Sequence, residues 1–342
     1  MKNRTVLITG AAGFIGSKLA QKFIQNKFKV IGIDNLNSYY EVSLKRKRIN
    51  ALIDNLSLVD ENWIFYKESL EDFISIKNIF DKHDPSIVVN LAAQAGVRYS
   101  IENPFSYVQS NLVGFANLLE LTRHSQVDHL IYASSSSVYG GNEYLPFNET
   151  QAVNHPISLY AATKKSNELM AHSYSHLYQI PVTGLRFFTV YGPWGRPDMA
   201  PMIFAKSILN NNPIKIYNYG KMQRDFTFID DIVEGVFKCS LKPATKNFDF
   251  DKKNPDPSTS FAPYRLFNIG NNKPIELLSF IDLLEDHLGK KAIRDMQPLQ
   301  PGDVLSTAAD TSLLNDWIEF VPSTPIEKGI EKFCRWFKDY YY

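Results

Sequence analysis

Tyr160 and Lys164, in the run Tyr160-Ala161-Ala162-Thr163-Lys164, stand four residues apart, a spacing that puts both side chains on one face of a helix. An ammonium beside a phenol lowers the phenol's pKa from its reference of about 10, so that the tyrosinate becomes usable as a base near neutral pH. The run Ala133-Ser134-Ser135-Ser136-Ser137-Val138-Tyr139-Gly140 places serines at the end of a predicted strand, where a hydroxyl can bond the same substrate hydroxyl. Each piece alone is ordinary, because Tyr-x-x-x-Lys pairs arise by chance and four serines can form a plain polar loop. Together with a glycine trio nearer the start of the chain they become specific.

That trio lies in Thr9-Gly10-Ala11-Ala12-Gly13-Phe14-Ile15-Gly16, between the first predicted strand and the first predicted helix. Gly10 permits the tight turn, Gly13 lets the backbone approach phosphates, and Gly16 lets the helix pack closely. The helix N-terminus adds N–H donors and positive dipole. Asp34 ends the second predicted strand, where a carboxylate accepts from both ribose hydroxyls and repels a 2′-phosphate. The order strand, turn, helix, acid predicts NAD rather than NADP as cofactor.

The elements that must position these residues follow from hydrophobic period. Short β-branched runs at 5–9, 29–34, 63–66, 87–90, 129–133 and 182–187 alternate with helical stretches at 14–26, 44–56, 70–82, 105–125 and 157–178. This alternation predicts a doubly wound parallel (Rossmann) α/β sheet over residues 1–187. Beyond it the pattern loosens into loops with helices near 200–210, 230–239, 275–287 and 325–337, which predicts a smaller α+β substrate lobe over 188–342. Residues 242–263 carry Pro243, Pro255, Pro257 and Pro263 among polar residues and read as an exposed loop insertion. No internal repeat is visible.

Of 342 residues, 44% are hydrophobic, ample for a large core, and 37 Lys and Arg against 36 Asp and Glu give a net charge of +1. No global field therefore attracts nucleic acid or an acidic membrane, and any anion needs a local site. Cys239 and Cys334 are too few for a disulfide scaffold or a multi-cysteine metal site, which suits a reducing cytosol. No run approaches the roughly 18 apolar residues of a membrane helix, and strand-like sequence from Thr5 leaves no room for a signal peptide. The expectation is a cytoplasmic protein.

The sequence resembles the extended short-chain dehydrogenase/reductase family, within it the nucleotide-sugar epimerases, and most of all UDP-glucuronate 4-epimerases. The segments that carry the likeness are the glycine turn, Asn90-Leu91-Ala92-Ala93-Gln94-Ala95-Gly96-Val97-Arg98-Tyr99-Ser100, Ser158-Leu159-Tyr160-Ala161-Ala162-Thr163-Lys164-Lys165, Arg186-Phe187-Phe188-Thr189-Val190-Tyr191-Gly192-Pro193-Trp194-Gly195-Arg196-Pro197-Asp198, Tyr219-Gly220-Lys221-Met222-Gln223-Arg224-Asp225-Phe226 and Gln300-Pro301-Gly302-Asp303-Val304. The resemblance implies Tyr160 as base, Lys164 as its electrostatic partner and nicotinamide-ribose ligand, and Ser135 as hydroxyl donor, with Ser136 as the alternative. It implies a cofactor site of Gly10, Gly13, Phe14, Ile15, Gly16, Asp34, Asn35, Ser69, Leu70, Leu91, Ala92, Ala93, Gln94 and Asn111, together with Tyr160 and Lys164. On the substrate side it implies Thr189 beside the pyrophosphate, Arg224 and Asp303 facing the nucleotide, and Arg196 or Arg98 on the carboxylate of an acidic sugar. Ser69-Leu70 departs from the pattern, since relatives place Asp before an aliphatic residue at the adenine.

What the resemblance implies is an NAD-dependent C4 epimerisation of a UDP-sugar, UDP-glucuronate to UDP-galacturonate, through a transient 4-ketone. The positions after the catalytic serine, where relatives that eliminate water carry acids, are Ser136 and Ser137, which favours simple inversion over dehydration. The competing readings are a 4-epimerase of a neutral or N-acetylated UDP-hexose and a non-catalytic NAD-binding sensor, the latter disfavoured by the intact Ser135, Tyr160 and Lys164. Lys45-Arg46-Lys47-Arg48 reads as a solvated helix face. His172 and His176 have metal-ligand spacing but no third ligand nearby, so no metal is expected. The apolar stripe Phe105, Val108, Leu112, Phe115 and Leu119 must face core or partner. In the resembled family this helix and the one bearing Tyr160 build a four-helix bundle, so a homodimer is expected.

Overall fold

The computed structural model describes residues 4–54, 62–300 and 304–342. Six strands alternate with helices as the period predicts: β1 (Thr5–Thr9), β2 (Lys29–Ile33), β3 (Trp63–Tyr66), β4 (Ile87–Asn90), β5 (His129–Ser135) and β6 (Val182–Phe187). Three strands follow, β7 (Thr189–Tyr191), β8 (Pro213–Ile216) and β9 (Gln223–Phe228), then β10 (Tyr264–Ile269), β11 (Pro274–Glu276) and β12 (Ile293–Met296). The main sheet runs β10-β6-β5-β4-β1-β2-β3 with every pairing parallel. β1 and β4 are buried along their whole length, as strands covered on both faces must be. The helices Phe14–Gln25 and Ile229–Leu241 cover one face through Leu19, Phe23 and Val236, while Phe73–His83, Gly114–His124 and Leu159–Tyr178 cover the other through Phe80, Leu118 and Ala171.

The chain winds outward from β1 through β2 to β3, then returns to place β4 on the other side of β1. The loops after β1 and β4 therefore diverge and leave a crevice at the strands' carboxyl ends, where ligands of such sheets bind. A Cβ on Gly10 would lie 2.8 Å from the backbone nitrogen of Ala92, and Gly10 has φ +70°, so only glycine lets the two loops meet there.

Three features differ from the sequence reading. β10 comes from residues beyond 187 yet pairs with β6, so the division between 1–187 and 188–342 is not a division of the sheet. The stretch 105–125 is helix Pro104–Tyr107, a π-helical turn Val108–Val113 and helix Gly114–His124. A π turn adds a residue and rotates what precedes it. The apolar stripe splits accordingly: Phe115 and Leu119 enter the core, whereas Phe105 is 80% exposed. The insertion 242–263 is mostly exposed but anchored by buried Ser258, Ser260 and Ala262, with Ser260 Oγ 2.8 Å from His172 Nε2 and Phe261 packed edge-on against His172 and His176.

The Tyr160 helix starts at Ser158, whose hydroxyl accepts from the Ala161 N–H at 3.1 Å. Further along, Glu168 is almost fully buried and takes a two-pronged bond from Arg186 on β6, Nε to Oε1 at 2.8 Å and Nη2 to Oε2 at 3.0 Å. Ser134 on β5 donates to the same carboxylate at 2.7 Å. Despite burial, Arg186 holds the Glu168 carboxyl below the usual range. Glu168→Leu should cost about 3–5 kcal/mol of stability, the price of stranding a buried guanidinium. Because the carboxyl's folded pKa is depressed, its contribution is present above about pH 4.3 and is lost as pH falls below that, so wild type should lose more stability than the variant on acidification. Urea unfolding at pH 7 and pH 3.5 checks both; a deficit under about 1 kcal/mol at pH 7 would assign the pair no stabilising role.

Candidate active site

A cleft of about 400 Å³ opens along the carboxyl edge of the sheet. From one end to the other it is lined by Ser69, Leu70, Asn35 and Asp34, then the glycine turn, then Leu91 to Gln94, and then Ser135, Ser136, Lys164, Tyr160, Thr189 and Arg196. Phe14 and Ile15, at the start of the first helix, line it too. Gly13 caps that helix without any side-chain bond, so the first-turn N–H groups are not capped from within. A Cβ on Gly16 would lie 2.1 Å from the Gly10 carbonyl oxygen, so this turn excludes side chains. Asp34 is held in place by N–H donation from Ala12 at 3.2 Å and Leu36 at 2.8 Å. A side-chain-free turn at a helix N-terminus, with a fixed acid at the next strand end, fits a dinucleotide.

At the far end the structure distinguishes the serines. Ser134 is turned to Glu168, whereas the Ser135 hydroxyl accepts from the Ser137 N–H at 3.2 Å, donates to Ser137 Oγ at 3.1 Å and is near enough to Tyr160 to favour its phenolate. Ser136 also lines the cleft. Lys164 donates to the Ala133 carbonyl at 2.8 Å and its Nζ is 6.0 Å from the Tyr160 ring centre. The expected lowering of the tyrosine's pKa by Lys164 is not what this geometry gives. Burial pushes the Tyr160 phenol above its ordinary value, and what opposes it is Ser135 and the charge of Arg196. Burial also pushes Lys164 down to about 8.

Arg196 lines the cleft, but its Nε and Nη2 already donate to Asp198, at 3.1 and 2.5 Å. Tyr39 donates to Asp198 at 3.0 Å, and desolvation with the adjacent Asp198 raises the Tyr39 phenol strongly. Arg98 instead lies over the Tyr217 ring at 5.1 Å, and Arg224 donates to the carbonyls of Gln223 and Leu305, so neither lines this cleft. Asp303 lies outside the described residues. Asn111, expected at the cofactor, does not line the cleft either: its amide bonds the backbone of Gln94 at both ends and Thr163 Oγ1, which shapes the loop that Gln94 presents.

Only half of the basic run is a solvated face: Arg46 and Lys47 are exposed, and Lys45 and Arg48 are not. Lys45 and Arg48 are 5% and 2% exposed. Lys45 lines the cleft and donates to Asn37, while Arg48 donates to Ala12 O at 3.1 Å, Trp194 O at 2.7 Å and Gly195 O at 3.1 Å. The helix Val42–Asp54 buries Leu44, Ile49 and Leu52, and helical period puts Lys45 and Arg48 on that same side. That period was the available signal. Asp198 and Tyr39 carried none, since they meet across a long stretch of chain.

A family model described as GDP-mannose 4,6 dehydratase matches residues 7–333. Protein CapI of Staphylococcus aureus is 54% identical over 336 residues, which is 98% of this chain and 99% of that protein. A probable UDP-glucuronate 4-epimerase of Rhizobium meliloti is 45% identical over 336 residues, covering 98% of this chain and 97% of its own. The crystal structure of UDP-glucuronic acid 4-epimerase from Bacillus cereus in complex with UDP-glucuronic acid and NAD superposes with a TM-score of 0.85 at 33% identity, over 98% of this chain and 100% of that one. With this fold, this cleft and likeness from end to end, the chain belongs to the GDP-mannose 4,6 dehydratase family of extended short-chain dehydrogenases/reductases, among its nucleotide-sugar epimerases.

Proposed function

We propose that this chain interconverts UDP-glucuronate and UDP-galacturonate by NAD-dependent inversion at C4. The observation that carries the reading is that Ser135, Tyr160 and Arg196 converge at one end of a cleft whose other end is the glycine turn and Asp34. NAD, when bound, supplies the acceptor and donor of the C4 hydride. Tyr160 takes the proton of the C4 hydroxyl as the ketone forms and returns it afterwards. Ser135 bonds the same oxygen, and the Lys164 cation lies one helical turn along. Gly10, Gly13, Gly16, Asp34 and the loop Leu91–Gln94 are the residues that would hold the dinucleotide, and Thr189, in the cleft wall, faces the nucleotide half of the substrate. The family includes dehydratases, but the two residues that follow Ser135 in the cleft lining are Ser136 and Ser137, so no carboxylate stands at those positions to eliminate water.

The acidic sugar is favoured over a neutral hexose by Arg196. The guanidinium has five N–H donors, of which Asp198 takes one edge, so the clamp on a substrate carboxylate uses the remaining Nη1 edge rather than the edge facing Asp198. The 4-ketone of a glucuronate is a β-keto acid, which loses carbon dioxide when the bond to the carboxyl carbon stands perpendicular to the carbonyl plane. A fixed carboxylate keeps that bond away from such alignment.

Two copies pair through the helices around 105–125 and 157–178, where Phe105, Leu169 and Leu177 are exposed. The enzyme works in the cytoplasm, and galacturonate for a surface polysaccharide is its use.

Purified protein should carry NAD and convert UDP-glucuronate to its C4 epimer, followed by NMR, without net NADH; stoichiometric NADH, or conversion of UDP-glucose alone, would overturn the reading. Tyr160→Phe should keep fold and cofactor while losing about 10²-fold or more in turnover, the range of a lost general base; wild-type turnover removes Tyr160 from the mechanism. Arg196→Ala should weaken UDP-glucuronate binding by about 1.5–3 kcal/mol and divert some turnover to a decarboxylated UDP-pentose, read by mass spectrometry. Clean UDP-galacturonate at normal affinity would move the clamp to another residue.

A further inference from the structure

Tyr39 reaches across the cleft. It lies on the loop after β2, its hydroxyl donates to Asp198 Oδ2 at 3.0 Å on the loop after β7, and its ring packs against Tyr99, beyond β4, with 4.7 Å between ring centres. A Cβ on Gly96, also beyond β4, would lie 2.7 Å from the Tyr39 hydroxyl oxygen, so a residue without a side chain stands where that oxygen arrives. In the main sheet β1 lies between β2 and β4. A side chain that runs from the β2 loop to the β4 and β7 loops therefore passes over the carboxyl end of β1, which is the glycine turn. Tyr39, Gly96 and that turn line one cleft.

The loop that carries Tyr39 is stiff up to the ring. The N–H groups of Leu36, Asn37 and Tyr39 each donate to the side chain two residues back, at 2.8, 3.1 and 3.3 Å. Lys45 donates to the backbone and side-chain oxygens of Asn37, at 3.0 and 2.8 Å. Such local bonds fix the backbone and leave the side-chain torsions of Tyr39 as the free joints. The hydroxyl, by contrast, ends on Asp198, an exposed residue, through a bond that water can replace. An arm with a fixed root and a breakable tip opens by rotating one ring and leaves the sheet untouched.

Inversion at C4 makes a different demand at each end of this cleft. The sugar nucleotide exchanges at every turnover, whereas the dinucleotide that took the hydride must stay to return it. We infer that Tyr39 is a latch over the bound dinucleotide: with its hydroxyl on Asp198 the cofactor stays through both half-reactions, and it exchanges only when the ring swings away. This rests on the NAD reading above.

The test reads exchange rather than activity. Holoenzyme is mixed with a large excess of isotopically labelled NAD and desalted at intervals, and the ratio of labelled to unlabelled dinucleotide retained is followed by mass spectrometry. Tyr39→Phe, which keeps the ring on Tyr99 and removes only the hydroxyl, should exchange about threefold faster than wild type or more, the range of one lost hydrogen bond. Tyr39→Ala should be faster still. Because the bond joins two protein groups, breaking it changes the way out and not the affinity, so the NAD concentration at half-occupancy after full equilibration should stay as in wild type. A Tyr39→Phe exchange rate equal to that of wild type overturns the inference. So does a faster rate matched by an equal loss of affinity, which would make Tyr39 an ordinary contact to the cofactor. A wild type that holds no NAD and takes up no label overturns it together with the NAD reading, and the empty protein tells that failure apart.

Discussion

Glu168 and Arg186 meet where water is excluded, and neither charge is tolerable there without the other. Around this pair the active centre is assembled. Glu168 belongs to the Tyr160 helix, Arg186 to β6, and Ser134, which donates to the same carboxylate, directly precedes Ser135. From Arg186 the network continues through the Tyr139 hydroxyl at 3.0 Å to Asn268 on β10 at 2.7 Å. A hydrophobic cluster of equal volume would stabilise the fold as well, but it would leave the helix free to slide against the strand ends. Directional bonds from two strands, β5 and β6, to one carboxylate fix the helix in register, and with it the approach of Tyr160 to Ser135.

That register matters because the basicity of Tyr160 is a balance of opposing effects. Burial alone makes its phenolate costly. Ser135 and Arg196 reduce the cost from two directions, and Arg196 is itself oriented by Asp198 and Tyr39. Lys164, the neighbour suggested by helical spacing, is drawn to the Ala133 carbonyl instead. The tuning of the Tyr160 phenol therefore comes first from Ser135 at the end of β5 and then from the turn after β7, in the other half of the sequence.

What was legible in the sequence is what short-range chemistry dictates. The glycine turn, Asp34 and six strands of the sheet could be read because backbone sterics and hydrophobic period act within a few residues. The π turn at Val108–Val113 was not, since one extra residue leaves composition unchanged while rotating the stripe. β10 was hidden because its place is set by pairing with β6, across the insertion and the lobe between them. Arg48 was misjudged for a different reason: a basic residue reads as exposed until the carbonyls that satisfy it are known, and those belong to residues 12, 194 and 195.

Arg48 also connects the two halves of the cleft. Its guanidinium holds Ala12 O in the glycine turn and the carbonyls of Trp194 and Gly195 just before Arg196, with Tyr40 Oη a further acceptor at 2.7 Å. Buried among acceptors, it is satisfied by carbonyl and hydroxyl oxygens alone and has little freedom to shift. The glycine turn and the turn that presents Arg196 are thereby held at one spacing. Inversion at C4 requires hydride to leave one face of the sugar and return to the other, so with the cofactor fixed the ketone must present both faces in turn. If the two turns moved apart to allow this, Tyr160 and Arg196 would lose their common frame. Three bonds from one buried guanidinium oppose such a separation, so the spacing of the two turns is set by Arg48.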